Sequence, residues 1–223
     1  MKNIKVYFFN VNSAKVSDDT KTQLLNNNCE FIDVKQGEYE DIGFLTEPLC
    51  GYEAEKVLSE KYLIKIDLDI QIVKPISKEL IEMSDKGILI EQYSDVDSKY
   101  QRDSIGKFNP FDTCFIISRR DSHFYETYNK LCYSDEIRQH PDWISISKER
   151  GMYDIEEFVV DYMFKNNKVN IIPMMNHLYG EGYVPIENRT LEEISDIIFL
   201  HSHIYMSDKS PDDNWCRTEK IQQ

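Results

Sequence analysis

The chain has 223 residues, 41% apolar and 30% charged, with 8 glycines and 7 prolines. That composition excludes a disordered, collagen-like or linker-like chain, and a globule of this length buries roughly 70% of its unfolded surface, enough for a real core. Twenty-six lysines and arginines against 40 aspartates and glutamates leave a net charge of −14. Such a chain repels polyphosphate, so duplex nucleic acid is not expected as a general partner, and an anionic small substrate would need a local cation.

Five cysteines, Cys29, Cys50, Cys114, Cys132 and Cys216, include no C-x-x-C pair. A thiol zinc site or a dense disulfide framework is therefore not expected, and the spread suits a reducing compartment. The apolar run near the N-terminus, Val6–Phe9, is too short for a signal peptide or anchor, and no window approaches the roughly 18 apolar residues of a membrane span. The expected location is the cytoplasm.

In chain order, Lys5–Phe9 reads as a strand. Ser17 or Asp18 caps a helix to about Asn27, and Cys29–Val34 alternates as a second strand. Gly51–Lys61 has helical spacing, with Ala54, Val57 and Leu58 on one face. Tyr62–Asp67 and Ile70–Val73 are extended. Ser77 caps a short helix that Gly87 stops, and Ile88–Ile90 is another strand. Glu91 to Pro110 reads as a long polar loop, of the kind that often carries function. Thr113–Ser118 is a strand, Asp121–Tyr133 a helix, and Asp154 opens a helix to about Asn166. Val169–Ile172 is a strand, Thr190 caps a short helix, and Ile197–His201 is the last buried strand. Strands interleaved with helices predict one α/β domain with a mixed, mostly parallel central sheet flanked by helices. It is expected to occupy residues 1–209, with 210–223 as a polar tail.

The most informative stretch is Tyr62-Leu-Ile-Lys-Ile-Asp67-Leu-Asp69-Ile-Gln-Ile-Val-Lys-Pro75. A bare D-x-D means little: chance alone supplies about as many as the two present among 20 aspartates. The other, Asp95-Val-Asp97, lies in the polar loop. Asp67 and Asp69 instead interrupt a β-rich apolar run where a buried strand would end, and ligands of open α/β sheets bind outside the carboxyl ends of strands. Alternation points both carboxylates to one side. Two like charges that close are costly unless a cation sits between them, and a hard divalent ion with oxygen ligands is the natural partner. The competing reading is a strand-end turn with solvated aspartates.

This pattern resembles the metal site of GT-A nucleotide-sugar glycosyltransferases, a Rossmann-like fold whose signature runs helix, aromatic-apolar strand, D-x-D, apolar residues. Upstream, Tyr52-Glu-Ala-Glu-Lys56 is similar to the family's Tyr-x-x-x-Arg/Lys helix, whose basic residue reaches the nucleotide-sugar diphosphate. Tyr52 and Lys56 are given that role by resemblance; from the residues alone, Lys56 reads equally as a surface lysine on an amphipathic helix.

Two of the five histidines sit in Phe199-Leu-His201-Ser-His203-Ile-Tyr-Met-Ser-Asp208-Lys209. Residues i and i+2 of a strand share a face, so both imidazoles can reach one ligand, and imidazole suits Mn, Fe, Zn and Cu better than Mg; from the residues alone, one histidine in the core and the other on the surface is the competing reading. Retaining enzymes of the glycogenin and galactosyltransferase type end with His-x-x-Gly-x-x-Lys-Pro-Trp. The His is the third metal ligand there and the Lys binds the diphosphate. The matching step runs from His203 to Lys209, with Met206 at the Gly position and no Pro-Trp directly after. His201 remains a rival ligand. Asp208, beside the lysine, can orient it, bind sugar hydroxyls or act as a base.

Phe108-Asn-Pro-Phe-Asp112-Thr113-Cys114 is similar to the family's Phe-Asn-Ser-Gly strand bordering the sugar and acceptor pockets, with Asp112 and Thr113 at the polar positions and Cys114 in place of Gly; from the residues alone it reads equally as a turn followed by a buried strand. Gly151-Met-Tyr-Asp154-Ile-Glu156-Glu157 resembles the acidic helix start near the reacting carbon. Asp154 with Glu157 is also a capping box, so Glu156 is the better candidate for an acceptor-side carboxylate, with Glu157 and Asp208 as alternatives. By the same resemblance Phe9, Asn10 and Asn12, after the first strand, take the position where these folds hold the base and ribose; from the residues alone a strand followed by a turn reads equally well.

The resemblance implies an enzyme, a hexosyltransferase-like glycosyltransferase that moves a sugar from a nucleoside diphosphate sugar, foremost a UDP-sugar, to a hydroxyl of a glycan or glycoprotein. The implied cofactor is Mn²⁺ or Mg²⁺ on Asp67, Asp69 and His203. The compact size resembles viral and bacterial glycosyltransferases of this fold, a chlorella-virus glycosyltransferase domain among them. Two other readings compete: a metal-dependent phosphohydrolase or nucleotidyltransferase, and a non-catalytic sugar-nucleotide-binding module. Against the first, no third acidic residue adjoins the pair in sequence. The chain also has no G-x-S-x-G, P-loop or G-x-G-x-x-G.

Overall fold

The computed structural model describes residues 5–11, 18–26, 29–34, 46–67, 70–72, 74–92, 111–150, 155–175, 178–181 and 199–202. Strand β1 (Val6–Val11) leads to helix α1 (Asp18–Asn26), strand β2 (Cys29–Val34) and helix α2 (Thr46–Val57). Strands β3 (Tyr62–Ile66) and β4 (Ile70–Ile72) flank the acidic pair, followed by helix α3 (Lys78–Met83) and strand β5 (Ile88–Gln92). Strand β6 (Phe111–Arg119) runs through a 3-10 turn at Arg120–Ser122 into helix α4 (Phe124–Cys132). Helices α5 (Asp135–Arg138), α6 (Pro141–Arg150) and α7 (Ile155–Lys165) precede strands β7 (Ile171–Met175), β8 (Leu178–Glu181) and β9 (Phe199–Ser202).

The α/β class holds, with parallel and antiparallel ladders mixed. Among the described residues the strands form three sheets, ordered β1-β2, β3-β6-β5-β7 and β4-β9-β8. The pairs β1/β2, β5/β7 and β8/β9 are parallel, and β3/β6, β5/β6 and β4/β9 antiparallel.

The four-stranded sheet carries the core because its two inner strands are apolar on both faces. On one face Ile88, Ile90, Phe111 and Ile116 pack against Phe124, Tyr128, Trp143, Ile155, Phe158 and Val159 of the α4–α7 layer. On the other, Leu89, Phe115 and Ile117 meet Leu80 of α3 and Met174 of β7. Burying one such side chain is worth about 1.5–3 kcal/mol. Pro173 lies within β7, an edge strand of this sheet among the described residues, where its missing N–H costs least.

Strand β8 has no expected counterpart, β5 extends into the start of the expected loop, β6 begins before Thr113 and β7 ends after Ile172. Three helical features also depart from the expected elements. Helix α2 begins at Thr46 rather than Gly51, with Pro48 in its first turn, where proline is tolerated. Gly51 does not start the helix; it makes room for a neighbour, since a Cβ there would fall 2.0 Å from Cδ1 of Tyr125. The expected Asp121–Tyr133 helix is broken at His123, whose φ of 53° is left-handed. Glu55 of α2 covers the helix start beyond the break, accepting hydrogen bonds from the Tyr125 and Glu126 amides at 3.1 and 3.0 Å. Burial raises the Glu55 carboxyl above its ordinary value, and those two amides pull against that rise. Helices α5 and α6 cover a stretch with no expected element; Ser134 caps α5 by accepting from the Ile137 amide, and Pro141 opens α6.

Ser77 caps α3 as expected, its hydroxyl accepting from the Leu80 amide at 3.1 Å. At Gly87 the Asn170 carbonyl approaches within 2.6 Å of where a Cβ would stand, so only glycine fits. No helix among the described residues is long and apolar enough to cross a membrane.

Candidate functional site

Strand β3 delivers Asp67 to the rim of the four-stranded sheet, where the start of β6 lies alongside it. Ile66 is opposite Phe115, and the Asp67 amide donates to the Cys114 carbonyl at 3.0 Å. Asp67 and the Asp112-Thr113 segment, distant in sequence, therefore share one rim. Asp112, 4% exposed, accepts from the Cys114 amide at 2.9 Å, a turn-like bond from a side chain to the backbone two residues on. Thr113 is also buried.

Two neighbours at this rim were not singled out from sequence. Lys65 extends its ammonium to the Thr113 carbonyl, 2.6 Å away, and to Asp67 Oδ1, 2.7 Å away. Its spacing of two from Asp67 was the available signal, because such residues share a strand face. Glu91, 3% exposed, lies opposite Asp112 where the β5–β6 register shifts between Ile90 and Glu91. It too ends an apolar run with an acid, the pattern that drew attention to Asp67. Beside these groups the Cys114 thiol is pushed well above its ordinary value, by burial first and by the Asp112 carboxylate second.

The segment just past the acidic pair meets the histidine segment directly. Strand β4 pairs antiparallel with β9, with Ile70 opposite His201 and Ile72 opposite Phe199. Strand β8 completes that sheet in parallel with β9. Asp69, His203, Asp208, Lys209 and Asn12 lie outside the described residues. Among the described residues no three His, Cys, Asp or Glu side chains are grouped to hold a metal ion.

Tyr52 and Lys56 face each other across one turn of α2, with the ammonium 3.6 Å from the ring centroid and 2.7 Å from Glu53 Oε1. Partial burial lowers the lysine's affinity for its proton, but Glu53 and Tyr52 outweigh this and the value is raised. Lys56 thus stays charged, resting on its own helix. Phe9 and Asn10 lie in β1 opposite Ile32 and Asp33 of β2. Glu156 and Glu157 stand half-buried in the first turn of α7, at the end where the helix dipole favours negative charge.

No protein-family profile matches the chain, and no curated protein matches it in sequence. Solved structures do match. The crystal structure of a glycosyltransferase involved in the glycosylation of the major capsid of PBCV-1 aligns with a TM-score of 0.53 at 15% identity, over 99% of this chain and 100% of that one. Mouse xyloside xylosyltransferase 1, in its apo form, aligns with a TM-score of 0.47 at 12% identity, over 92% of this chain and 86% of that one. The first likeness shows that the chain has the fold of a glycosyltransferase along nearly its whole length, the GT-A-type architecture that its motifs resemble.

Proposed function

We propose that this protein is a metal-dependent glycosyltransferase that moves a sugar from a nucleoside diphosphate sugar, with UDP as the first nucleotide to test, to a hydroxyl of a glycan or glycoprotein. The observation that carries the reading is the rung between Ile70 and His201. It draws the strand after the acidic pair against the strand that opens the H-x-H segment, in a chain with a glycosyltransferase fold.

Two carboxylates from Asp67 and Asp69 with one imidazole from His203 form a donor set that suits Mn²⁺, with Mg²⁺ as the harder alternative. Asp67 fits this role: its carboxylate is 43% exposed at the rim and already attracts a cation, the Lys65 ammonium. A bound ion would supply Lewis-acid stabilisation of the departing diphosphate, worth several kcal/mol. Lys209, and Lys56 of α2, would add fixed positive charge for the donor, which a chain of net charge −14 otherwise repels. Phe9, Asn10, Asn12 and Tyr52 are assigned to the nucleotide, and Asp112 and Thr113 to the sugar side. Glu156, Glu157 and Asp208 are the candidates to take the acceptor's proton if the reaction inverts configuration, a step worth about 10²–10⁴-fold. The cytoplasm is the proposed compartment.

The test is to incubate the protein with Mn²⁺ and a panel of UDP-sugars, with and without glycan acceptors, and to measure UDP. Asp69→Ala should lose nearly all turnover, while Asp97→Ala, in the other D-x-D, should keep it. Equal activity in wild type and Asp69→Ala would remove the pair from the site. Release of pyrophosphate or nucleoside monophosphate would instead mark a phosphohydrolase or nucleotidyltransferase.

A further inference from the structure

The carboxylate assigned to the metal is already engaged within its own strand. Lys65 Nζ lies 2.7 Å from Asp67 Oδ1 and 2.6 Å from the Thr113 carbonyl, so one ammonium joins an acidic side chain to the backbone of the neighbouring strand. Lys65 is only 18% exposed, and its second partner is fixed to the sheet. It is therefore less free to swing away than a surface lysine, whose ion pairs cost little to break. A divalent ion that takes Asp67 must either displace this ammonium or sit beside it, and like charges at that range repel.

We propose that Lys65 is an internal counter-cation of Asp67, which keeps a bare divalent ion weakly bound and yields the carboxylate when a diphosphate arrives to take up its charge. This rests on the metal-dependent reading above and deepens it by naming the residue that couples the metal to the nucleotide. In the resting protein the ammonium neutralises Asp67 and holds β3 to β6. With a nucleoside diphosphate present, the added negative charge attracts both the ion and the ammonium, so each ligand tightens the other by the same factor. Removing the ammonium gives the bare ion a more negative site and takes away part of the diphosphate's attraction.

The experiment titrates the full chain with Mn²⁺ alone and with Mn²⁺ plus saturating UDP, reading free Mn²⁺ by electron paramagnetic resonance. Lys65→Met should bind Mn²⁺ alone about three- to tenfold more tightly than wild type, and the tightening on adding UDP should shrink by a similar factor. Lys65→Arg should behave like wild type. Equal or weaker Mn²⁺ affinity in Lys65→Met, with an unchanged UDP effect, overturns the role of Lys65 while leaving the metal site intact if Asp69→Ala abolishes binding. No Mn²⁺ binding by the wild type, with or without UDP, overturns the metal-dependent reading and the proposal together. Should Lys65→Met fail to fold, wild-type protein with ¹³Cε-labelled lysine decides. The Lys65 resonance, identified by its loss in Lys65→Arg, should move on adding Mg²⁺ with UDP and move less with Mg²⁺ alone; a resonance that both additions leave in place overturns the proposal.

Discussion

Ile70 and His201 face each other on one rung of an antiparallel ladder, one just after the acidic pair and the other at the start of the H-x-H segment. Neighbouring strands lie about 4.7–4.9 Å apart, so this rung sets β4 directly beside β9. If His203 is the third ligand, His203→Ala should cut turnover of a UDP-sugar by about a hundredfold or more, and His201→Ala by less than about tenfold. The reverse order, read from UDP release at saturating Mn²⁺, would transfer the ligand role to His201.

Gly51→Ala tests the packing that orients the helix bearing Tyr52 and Lys56. Alanine is the better helix former by about 1 kcal/mol, yet its methyl would meet the buried Tyr125 ring. The net expectation is a loss of about 1–3 kcal/mol, measured by urea unfolding. Tyr125→Leu should restore part of it in the double variant. A Gly51→Ala protein as stable as wild type would show that the ring moves aside freely.

Asp161 of α7 is 6% exposed, and its Oδ1 atom has no hydrogen-bond partner, while Oδ2 accepts from Lys165 at 2.5 Å. Burial raises its carboxyl above the ordinary 3.8, and Lys165 offsets part of that rise. The folded state therefore binds the proton more tightly than the unfolded one. Its contribution to stability is largest in acid and falls as pH climbs from the ordinary value through the raised one. Asp161→Asn cannot titrate, so its stability relative to wild type should improve over that window and level off above it. Parallel pH profiles of the urea midpoint would contradict this.

The Cys114 thiol should be slow to react. Its thiolate, the reactive form, is disfavoured by burial and by the adjacent Asp112 carboxylate. Alkylation by iodoacetamide, followed by peptide mass spectrometry, should be about a hundredfold slower in native than in urea-unfolded protein. Fast native labelling would mean that this rim opens to solvent.

What could be read from sequence followed the range of the interaction. Ser77, Asp18 and the alternating strands are governed by neighbours a few residues away, and these elements lie close to where they were expected. Sequence spacing starts the helix containing Gly51 too late, because this glycine answers to Tyr125, seventy-odd positions on, and not to its own turn. His123 reads as an ordinary helical residue until Glu55 supplies the cap that lets the chain break there. The acidic pair stood out by its strand-end context. Lys65 and Glu91 did not, because their meaning depends on β6 lying beside them, which only the folded sheet reveals.

The ladder between β4 and β9 also bears on how the molecule comes into being. Strand β4 leaves the ribosome long before residues 199–202, so it waits for its partner through most of translation. Bringing such remote segments together carries a loop-closure cost that local contacts avoid, so this corner is expected to join late in folding. Fragments that stop short of Phe199 would leave β4 without that neighbour, a loss that comparing their urea unfolding with that of the 223-residue chain would report.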